Sequence, residues 1–387
     1  MAVIFGIRPD VIRGSIILDL MRQSKSVEVH FIWSGQHYSD NLKDIFFREL
    51  KVAPPSIELG AHGETDSELV SSIIAKLSPA LEKIHPAAAV FLGDTNTVMG
   101  CLAAAQLNIP IIHIEGCMRS YDWRMPEEKY RIVADHLADV IYAYLDEYKR
   151  QGVAEGLNPR SIVVTGNPIV DVLEKYYLNN PEIRALANDN FFRSKKIEKG
   201  EYYVMTFHRR ENVEDSTSLR NVLNLIASTD RRIYFPASYR TQRAIQRFSL
   251  RLPENVLMVD PVGYREFLLL VTNSRGVLSD SGTVIEEACI LQIPTIQLRK
   301  STERPQVYDV GACIKFDPNL PAEHSPEVVF GKLENLRGKS WPNPFGDGKA
   351  SQRIADDIIR RLVDNELTTH RTQDYHLDVT RAYRGES

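Results

Sequence analysis

Short apolar runs recur along the chain, and most stop abruptly at glycine, aspartate, glutamate or serine. In the first half they fall at Ala2–Phe5, Val27–Trp33, Ala87–Leu92, Pro110–Ile114, Val140–Ala143 and Ser161–Thr165, and each predicts a strand. Between them, apolar residues return every three or four positions. That spacing predicts helices from about Val11 to Arg22, over Glu64–Ile84 (Leu69, Ile73, Leu77 and Leu81 on one face), over Thr97–Leu107 and near Asp146–Glu155. A second series follows, with strands expected at Tyr202–Thr206, Arg232–Pro236, Val256–Val259, Gly276–Ser279 and Thr295–Leu298. The stretch from about Tyr177 to Gly200, between the two series, is polar and charge-rich. Ser351–Asp364 has helical periodicity, and Thr368–Ser387 reads as a polar surface tail.

Apolar strands alternating with helices are the mark of parallel sheets covered on both faces. At 387 residues the chain has room for two such units. The expected fold class is α/β, with two Rossmann-like doubly wound domains facing a cleft. Residues 1–176 are expected to form the first domain and 177–350 the second. The helix in 351–366 is expected to return to the first domain, leaving 367–387 as the tail. In such sheets the loops after the strands' carboxyl ends line the ligand crevice.

The stretch Phe91–Arg131 places Asp94 and Glu115 at two such strand ends, and Glu127 opens the next helix just after Pro126. Each alone has an ordinary reading. Aspartate after glycine is a common turn residue or helix cap, and Glu127 beside Glu128 suits a first-turn acid favoured by the helix dipole. Together, with Arg119, Arg124 and Arg131 close in sequence, they form one acidic rim. Clustered carboxylates raise one another's pKa and become candidate proton carriers. As rim residues they are expected to be replaceable without loss of folding. The Gly6–Asp10 loop brings Arg8 and Arg13 to a helix N-terminus, an anion-binding geometry, though Arg13 also fits a solvated helix position.

Three stretches of the second series carry chemistry. Phe207-His208-Arg209-Arg210-Glu211-Asn212 follows a strand directly, so His208 can serve as acid, base or phosphate partner, or simply as a surface histidine in a basic loop. Ser279-Asp280-Ser281-Gly282-Thr283-Val284-Ile285-Glu286-Glu287 runs from strand into helix. The free N–H groups there, with Ser281, can hold a pyrophosphate. Glu287, one turn in, can accept ribose hydroxyls, or it is a dipole partner. Thr302-Glu303-Arg304-Pro305 can aim Arg304 into the cleft, although such pairs are often structural.

Composition narrows the classes. A net charge of −4 argues against a nucleic-acid binder. The four widely spaced cysteines, Cys101, Cys117, Cys289 and Cys313, form no C-x-x-C and suit a reducing compartment. No apolar stretch approaches spanning length, and Arg8 and Asp10 interrupt the first run at once, so a soluble cytoplasmic protein with no membrane partner is expected. No G-x-G-x-x-G follows the first strand, so the dinucleotide fingerprint is absent.

Taken in order, GIRPD, GDTNT, HIEGCMR, MPEEKYR, TGNPIVDVL, FHRRENV, LSDSGTVIEEA, TERP and NPFGDGKAS resemble the non-hydrolysing UDP-N-acetylglucosamine 2-epimerase family over almost the whole chain. The resemblance implies a fold like that of the GT-B glycosyltransferases, a homodimer, a UDP-sugar ligand, and neither redox cofactor nor metal. It implies an isomerase that eliminates UDP, passes through a 2-acetamidoglucal, and adds UDP back with carbon 2 inverted. On it, Asp94, Glu115, Glu127 and His208 form the catalytic set. Arg8, Arg13, Phe267, Ser281, Gly282, Thr283, Glu287 and Arg304 hold substrate or UDP.

The chain departs from the family pattern at several points. Arg13 stands where lysine is usual, Glu115-Gly116-Cys117-Met118-Arg119 replaces E-A-G-x-R, and Ala237-Ser238-Tyr239-Arg240 replaces a loop that often carries histidine. The Q-H-x-x-M-L loop of activator-dependent members reads Gln36-His37-Tyr38-Ser39-Asp40-Asn41-Leu42. The short loop with Asp122 and Arg124 is similar to the branch that makes UDP-N-acetyl-L-fucosamine. The expected substrate is therefore UDP-N-acetylglucosamine or a 6-deoxy relative such as UDP-2-acetamido-2,6-dideoxy-L-talose. Readings from other classes are a hydrolysing epimerase that releases free sugar and UDP, a GT-B glycosyltransferase that needs an acceptor, and a non-catalytic nucleotide-sugar sensor.

Overall fold

A computed structural model of the chain describes residues 1–36, 44–323 and 325–367. The tail from Thr368 and the loop residues His37–Leu42 lie outside the described residues. The first sheet comprises β1 (Ala2–Phe5), β2 (His30–Trp33), β3 (Ile57–Glu58), β4 (Ala89–Leu92), β5 (Ile111–Ile114), β6 (Val140–Ala143) and β7 (Ile162–Val164). Its order is β3-β2-β1-β4-β5-β6-β7, with parallel pairing throughout. Every residue of β1, β4, β5 and β6 is buried, His113 included. These strands read as unbroken apolar runs because helices cover both faces.

The second sheet comprises β8 (Tyr202–Thr206), β9 (Arg232–Pro236), β10 (Val256–Val259), β11 (Gly276–Ser279), β12 (Thr295–Leu298) and β13 (Cys313–Phe316). Its order is β10-β9-β8-β11-β12-β13, again parallel. The chain is thus α/β with two Rossmann-like sheets. In each sheet the order reverses once, between β1 and β4 and between β8 and β11. Crevices open at such switch points. The loops at these four strand ends are those bearing Arg8, Asp94, His208 and Ser281.

The helices that position the site are α1 (Arg8–Gln23), α2 (Pro126–Leu137), α3 (Pro168–Leu173), α4 (Tyr264–Thr272), α5 (Gly282–Ile290) and α6 (Ala350–Val363). The α1 helix starts three residues before the expected Val11. Pro9 fits its first turn, and the Asp10 carboxylate accepts the Gly6 and Ile7 N–H groups at 2.9 and 3.2 Å. The expected helix over Thr97–Leu107 opens instead as a 3-10 turn, Asn96–Gly100, before the α-helix Cys101–Gln106. The strand β2 is shorter than Val27–Trp33 and begins opposite the start of β1, with Ala2 paired to His30.

The α6 helix buries Ile354, Ala355 and Ile358 in the same apolar core as Ile4 and Ile17. Asp171 of α3 accepts the Ala350 and Ser351 N–H groups at 3.2 and 2.7 Å, and Tyr142 bonds Asp357 at 2.9 Å. The chain therefore passes from the first sheet to the second and back. The two passages touch where the Asn167 N–H donates to the Phe345 carbonyl at 2.8 Å. Among the described residues no helix is long and apolar enough to cross a membrane.

Candidate active site

Asp94 and Glu115 leave adjacent strands, β4 and β5, so their side chains emerge on the same edge. Glu115 takes φ 75°, rare for a residue with a Cβ. The turn is held because the Glu115 and Gly116 N–H groups both donate to the Tyr142 carbonyl, at 3.0 and 3.3 Å. Glu115 is fully buried and meets three arginines: Arg13 of α1 in a tight ion pair, Arg131 of α2 at 3.5 Å and Arg304 of the second domain at 3.0 Å. Tyr144 donates its hydroxyl to it at 3.2 Å. Arg131 also pairs with Asp94, so one guanidinium joins both carboxylates.

Glu127, in the first turn of α2, faces Arg209 across the cleft at 3.3 Å. Burial raises its carboxyl, Arg209 opposes the rise and Asp94 adds to it. Glu128 does a different job. It accepts the Ser120 N–H and hydroxyl and the Tyr121 N–H, each at 2.9 Å, and so anchors the loop between β5 and α2.

The second domain answers with cations and a helix start. Ser281 caps α5 by accepting the Val284 N–H. Thr283 accepts from Arg13, which thus spans the two domains. A Cβ on Gly282 would lie 2.3 Å from Arg304 Nη1, so only glycine lets that guanidinium lie along the helix start. Arg304 is oriented by Glu303 and by Glu286, the latter at 2.7 Å from Nε. Burial alone would raise Glu303, but Arg299, Arg304, Arg209 and Arg131 hold it well below the usual carboxylate range.

Glu287 is buried and accepts the Tyr264 hydroxyl at 2.8 Å. Burial pushes it up to about 7, with Tyr264 and Arg13 pulling the other way. Arg8 is close enough to Glu287 to feel its charge. His208 sits with its N–H on Asp280 at 3.0 Å and its Nδ1 3.4 Å from the same carboxylate. Desolvation, then the charges of Arg209, Arg8, Arg240 and Arg299, drive its imidazole well below the ordinary 6.5. Phe267 lies one turn beyond Tyr264 in α4, half-buried against the second domain's apolar cluster rather than among the charged groups.

Of the arginines close in sequence to the acids, only Arg131 reaches them. Arg119 is buried beneath, on Asp135 and Glu155, and Arg124 pairs with Asp122 at the exposed rim. The difference follows from helical phase and turn geometry, neither of which sequence proximity encodes. Arg209, Glu303 and Asp280 were not singled out from sequence. Asp280 had a signal, since it stands first after a strand in a switch-point loop. Several buried atoms here, Arg13 Nε, Arg131 Nε and Glu127 Oε2, have no hydrogen-bond partner among the described residues. Native interiors leave few such atoms, so a polar ligand is the natural complement. Among the described residues no group of His, Cys, Asp or Glu is arranged to hold a metal ion.

The family model described as UDP-N-acetylglucosamine 2-epimerase matches residues 19–359. The UDP-N-acetylglucosamine 2-epimerase of Methanocaldococcus jannaschii is 37% identical over 367 residues, 92% of this chain and 97% of that protein. The UDP-2,3-diacetamido-2,3-dideoxy-D-glucuronate 2-epimerase of Pseudomonas aeruginosa is 30% identical over 368 residues, 92% of this chain and 98% of that protein. The crystal structure of the M. jannaschii enzyme in complex with UDP-GlcNAc and UDP superposes with a TM-score of 0.84 at 34% identity, over 93% of this chain and 99% of that one. With matches of this extent, on a GT-B-like pair of Rossmann-like domains, the chain belongs to the UDP-N-acetylglucosamine 2-epimerase family of isomerases.

Proposed function

We propose that the chain inverts carbon 2 of a UDP-N-acetylhexosamine by eliminating UDP and adding it back. The observation that carries this reading is Arg131 joined to both Asp94 and Glu115, with Arg304 of the other domain closing on Glu115. The proton on carbon 2 is scarcely acidic in the bound sugar. As the bond from carbon 1 to the phosphate oxygen breaks, its electron pair leaves with UDP and oxocarbenium character develops at carbon 1. The neighbouring C–H then weakens. A carboxylate takes the proton, and the C–H electrons become the double bond of a 2-acetamidoglucal. A proton delivered to the opposite face of carbon 2, with UDP oxygen returning to carbon 1, completes the inversion. Carboxylates suit both tasks, stabilising the cation and carrying the proton.

The remaining groups fall into place around that chemistry. Arg8, Arg13 and Arg304, with the N-terminus of α5 and Ser281, bind the pyrophosphate, and Glu287 reads the ribose. His208, held neutral by burial and by the surrounding arginines, hydrogen-bonds the departing phosphate. The sugar is UDP-N-acetylglucosamine or a 6-deoxy relative such as UDP-2-acetamido-2,6-dideoxy-L-talose. The Pseudomonas relative adds a diacetamido uronate sugar to the candidates. The working unit is a homodimer, which light scattering tests directly.

The deciding experiment follows carbon 2 by NMR while the protein turns over each UDP-sugar in deuterated water. Deuterium at an inverted carbon 2, with no net UDP release, is expected for one of them. No deuterium uptake from any of the sugars sinks the proposal. Stoichiometric UDP release assigns a hydrolysing enzyme, and turnover only with an added acceptor assigns a glycosyltransferase.

A further inference from the structure

Beneath the two strand-end carboxylates lies a buried charged chain that does not touch the cleft. His113, in the middle of β5, is fully buried. Its Nε2 lies 2.7 Å from the Gly93 carbonyl oxygen and its Nδ1 2.8 Å from Asp135 Oδ1. The other Asp135 oxygen accepts the Cys117 N–H at 2.9 Å and the Arg119 guanidinium at 2.8 Å. Arg119 then forks onto Glu155. Gly93 immediately precedes Asp94, and Cys117 follows Glu115 by two residues. One imidazole therefore ties together the two turns that aim the carboxylates.

The hydrogen positions follow from the partners. A carbonyl oxygen only accepts, so Nε2 carries a hydrogen. Asp135 already receives two donors on Oδ2. Its ion pair with the Arg119 guanidinium and the bond from the Cys117 N–H keep it a carboxylate despite burial. As an anion it too only accepts, so Nδ1 carries the second hydrogen. Charge then alternates along His113, Asp135, Arg119 and Glu155, the condition under which charges tolerate burial. The packing is close: a Cβ on Gly116 would stand 2.5 Å from Asp135 Oδ1 and 2.3 Å from Ile141.

We propose that His113 is a positioning residue for the epimerisation, a buried imidazolium whose two N–H bonds set the spacing between Asp94 and Glu115. This rests on the reading of those carboxylates as the groups that serve carbon 2. Moving a proton off one face and onto the other needs two groups at a fixed separation, and a misplacement of about 1 Å can cost on the order of 100-fold in rate. His113 supplies that separation from below, without meeting the sugar.

The wild-type protein labelled with 15N-histidine gives the first test. His113 is the only buried histidine among the described residues, so its ring hydrogens are the slowly exchanging ones. Both of its nitrogens should be protonated; a bare nitrogen on that ring overturns the inference. H113N keeps a donor on the Asp135 side and H113Q keeps one toward Gly93, so each severs one tie. Both are expected to lower kcat by about 100-fold while KM and UDP affinity stay within about threefold. Folded variants with wild-type kcat, or with kcat and UDP affinity falling together, overturn it. If neither variant folds, the wild-type spectrum decides. Asp94→Asn and Glu115→Gln separate the two failures. If they retain turnover, the carboxylate reading fails; if only the His113 variants retain it, positioning alone fails.

Discussion

Glu115 holds three buried guanidinium groups, one of them from the opposite domain. Breaking a buried pair commonly costs about 3–5 kcal/mol, because the partner charge is stranded. Glu115→Gln is therefore expected to lower the thermal unfolding midpoint as well as turnover. Reading strand ends as rim positions led to the expectation that folding would be spared; Glu115 is instead buried, so at this residue that expectation loses its premise. Asp94 is less enclosed, and Asp94→Asn should cut kcat by roughly 10²- to 10⁴-fold with little change in the midpoint. At His208, burial and then the charges of Arg209, Arg8, Arg240 and Arg299 hold the ring neutral, and Arg8 also belongs to the anion site. UDP should offset their charge, so binding is expected to take up a proton, measured by calorimetry in buffers of different ionisation enthalpy. His208→Asn should abolish that uptake. Burial sets Glu287 and Asp10 at about 7, against usual values of 4.5 and 3.8. As pH rises, the unfolded chain releases these protons first and the folded chain keeps them until near 7. Stability should fall across that window and level off above it. Glu287→Gln should remove part of the slope in a series of unfolding midpoints against pH.

The α5 helix shows how one element couples binding to catalysis. Its first residue, Gly282, admits Arg304, which reaches across to Glu115. Gly282→Ala should displace that guanidinium, lowering kcat and the unfolding midpoint together. Gly331→Ala is the contrast, since a Cβ there meets nothing within 4 Å inside the helix Pro326–Leu336. It is expected to stabilise by about 0.5–1 kcal/mol in denaturant titration, leaving turnover unchanged. The elements most legible in the sequence were the doubly covered strands, such as β4, β6 and β11. Their apolar runs end at the residue where the chain leaves the sheet. Of the four edge strands, β7 and β10 were anticipated and β3 and β13 were not: β3 has two residues, and β13 carries exposed Lys315. For the site, the positions of Asp94, Glu115 and His208 were legible because strand ends in such a sheet share one side. Their partners were not, since Arg209 meeting Glu127 depends on how two separate domains are set against each other.

At the scale of the molecule, many contacts between the domains are charged or polar. Arg210 pairs with Asp66, Asn167 bonds Glu286 at 3.0 Å, Ser301 bonds Asp122 at 3.1 Å, and Arg265 donates to the Glu49 carbonyl at 2.7 Å. Ligand that enters between them binds the folded form alone. UDP at 100 times its dissociation constant should add about 2.7 kcal/mol to stability, read as a rise in the unfolding midpoint. Arg304→Ala should shrink that rise. The double passage of the chain has a mechanical consequence. Two backbone strands lying side by side, stapled by the bond from Asn167 to Phe345, behave like a door hung on paired leaves. Such a mounting swings about one line and resists twisting. Closure about that line would return acids and nucleotide loops to the same alignment, which is thus written into connectivity before any sugar arrives.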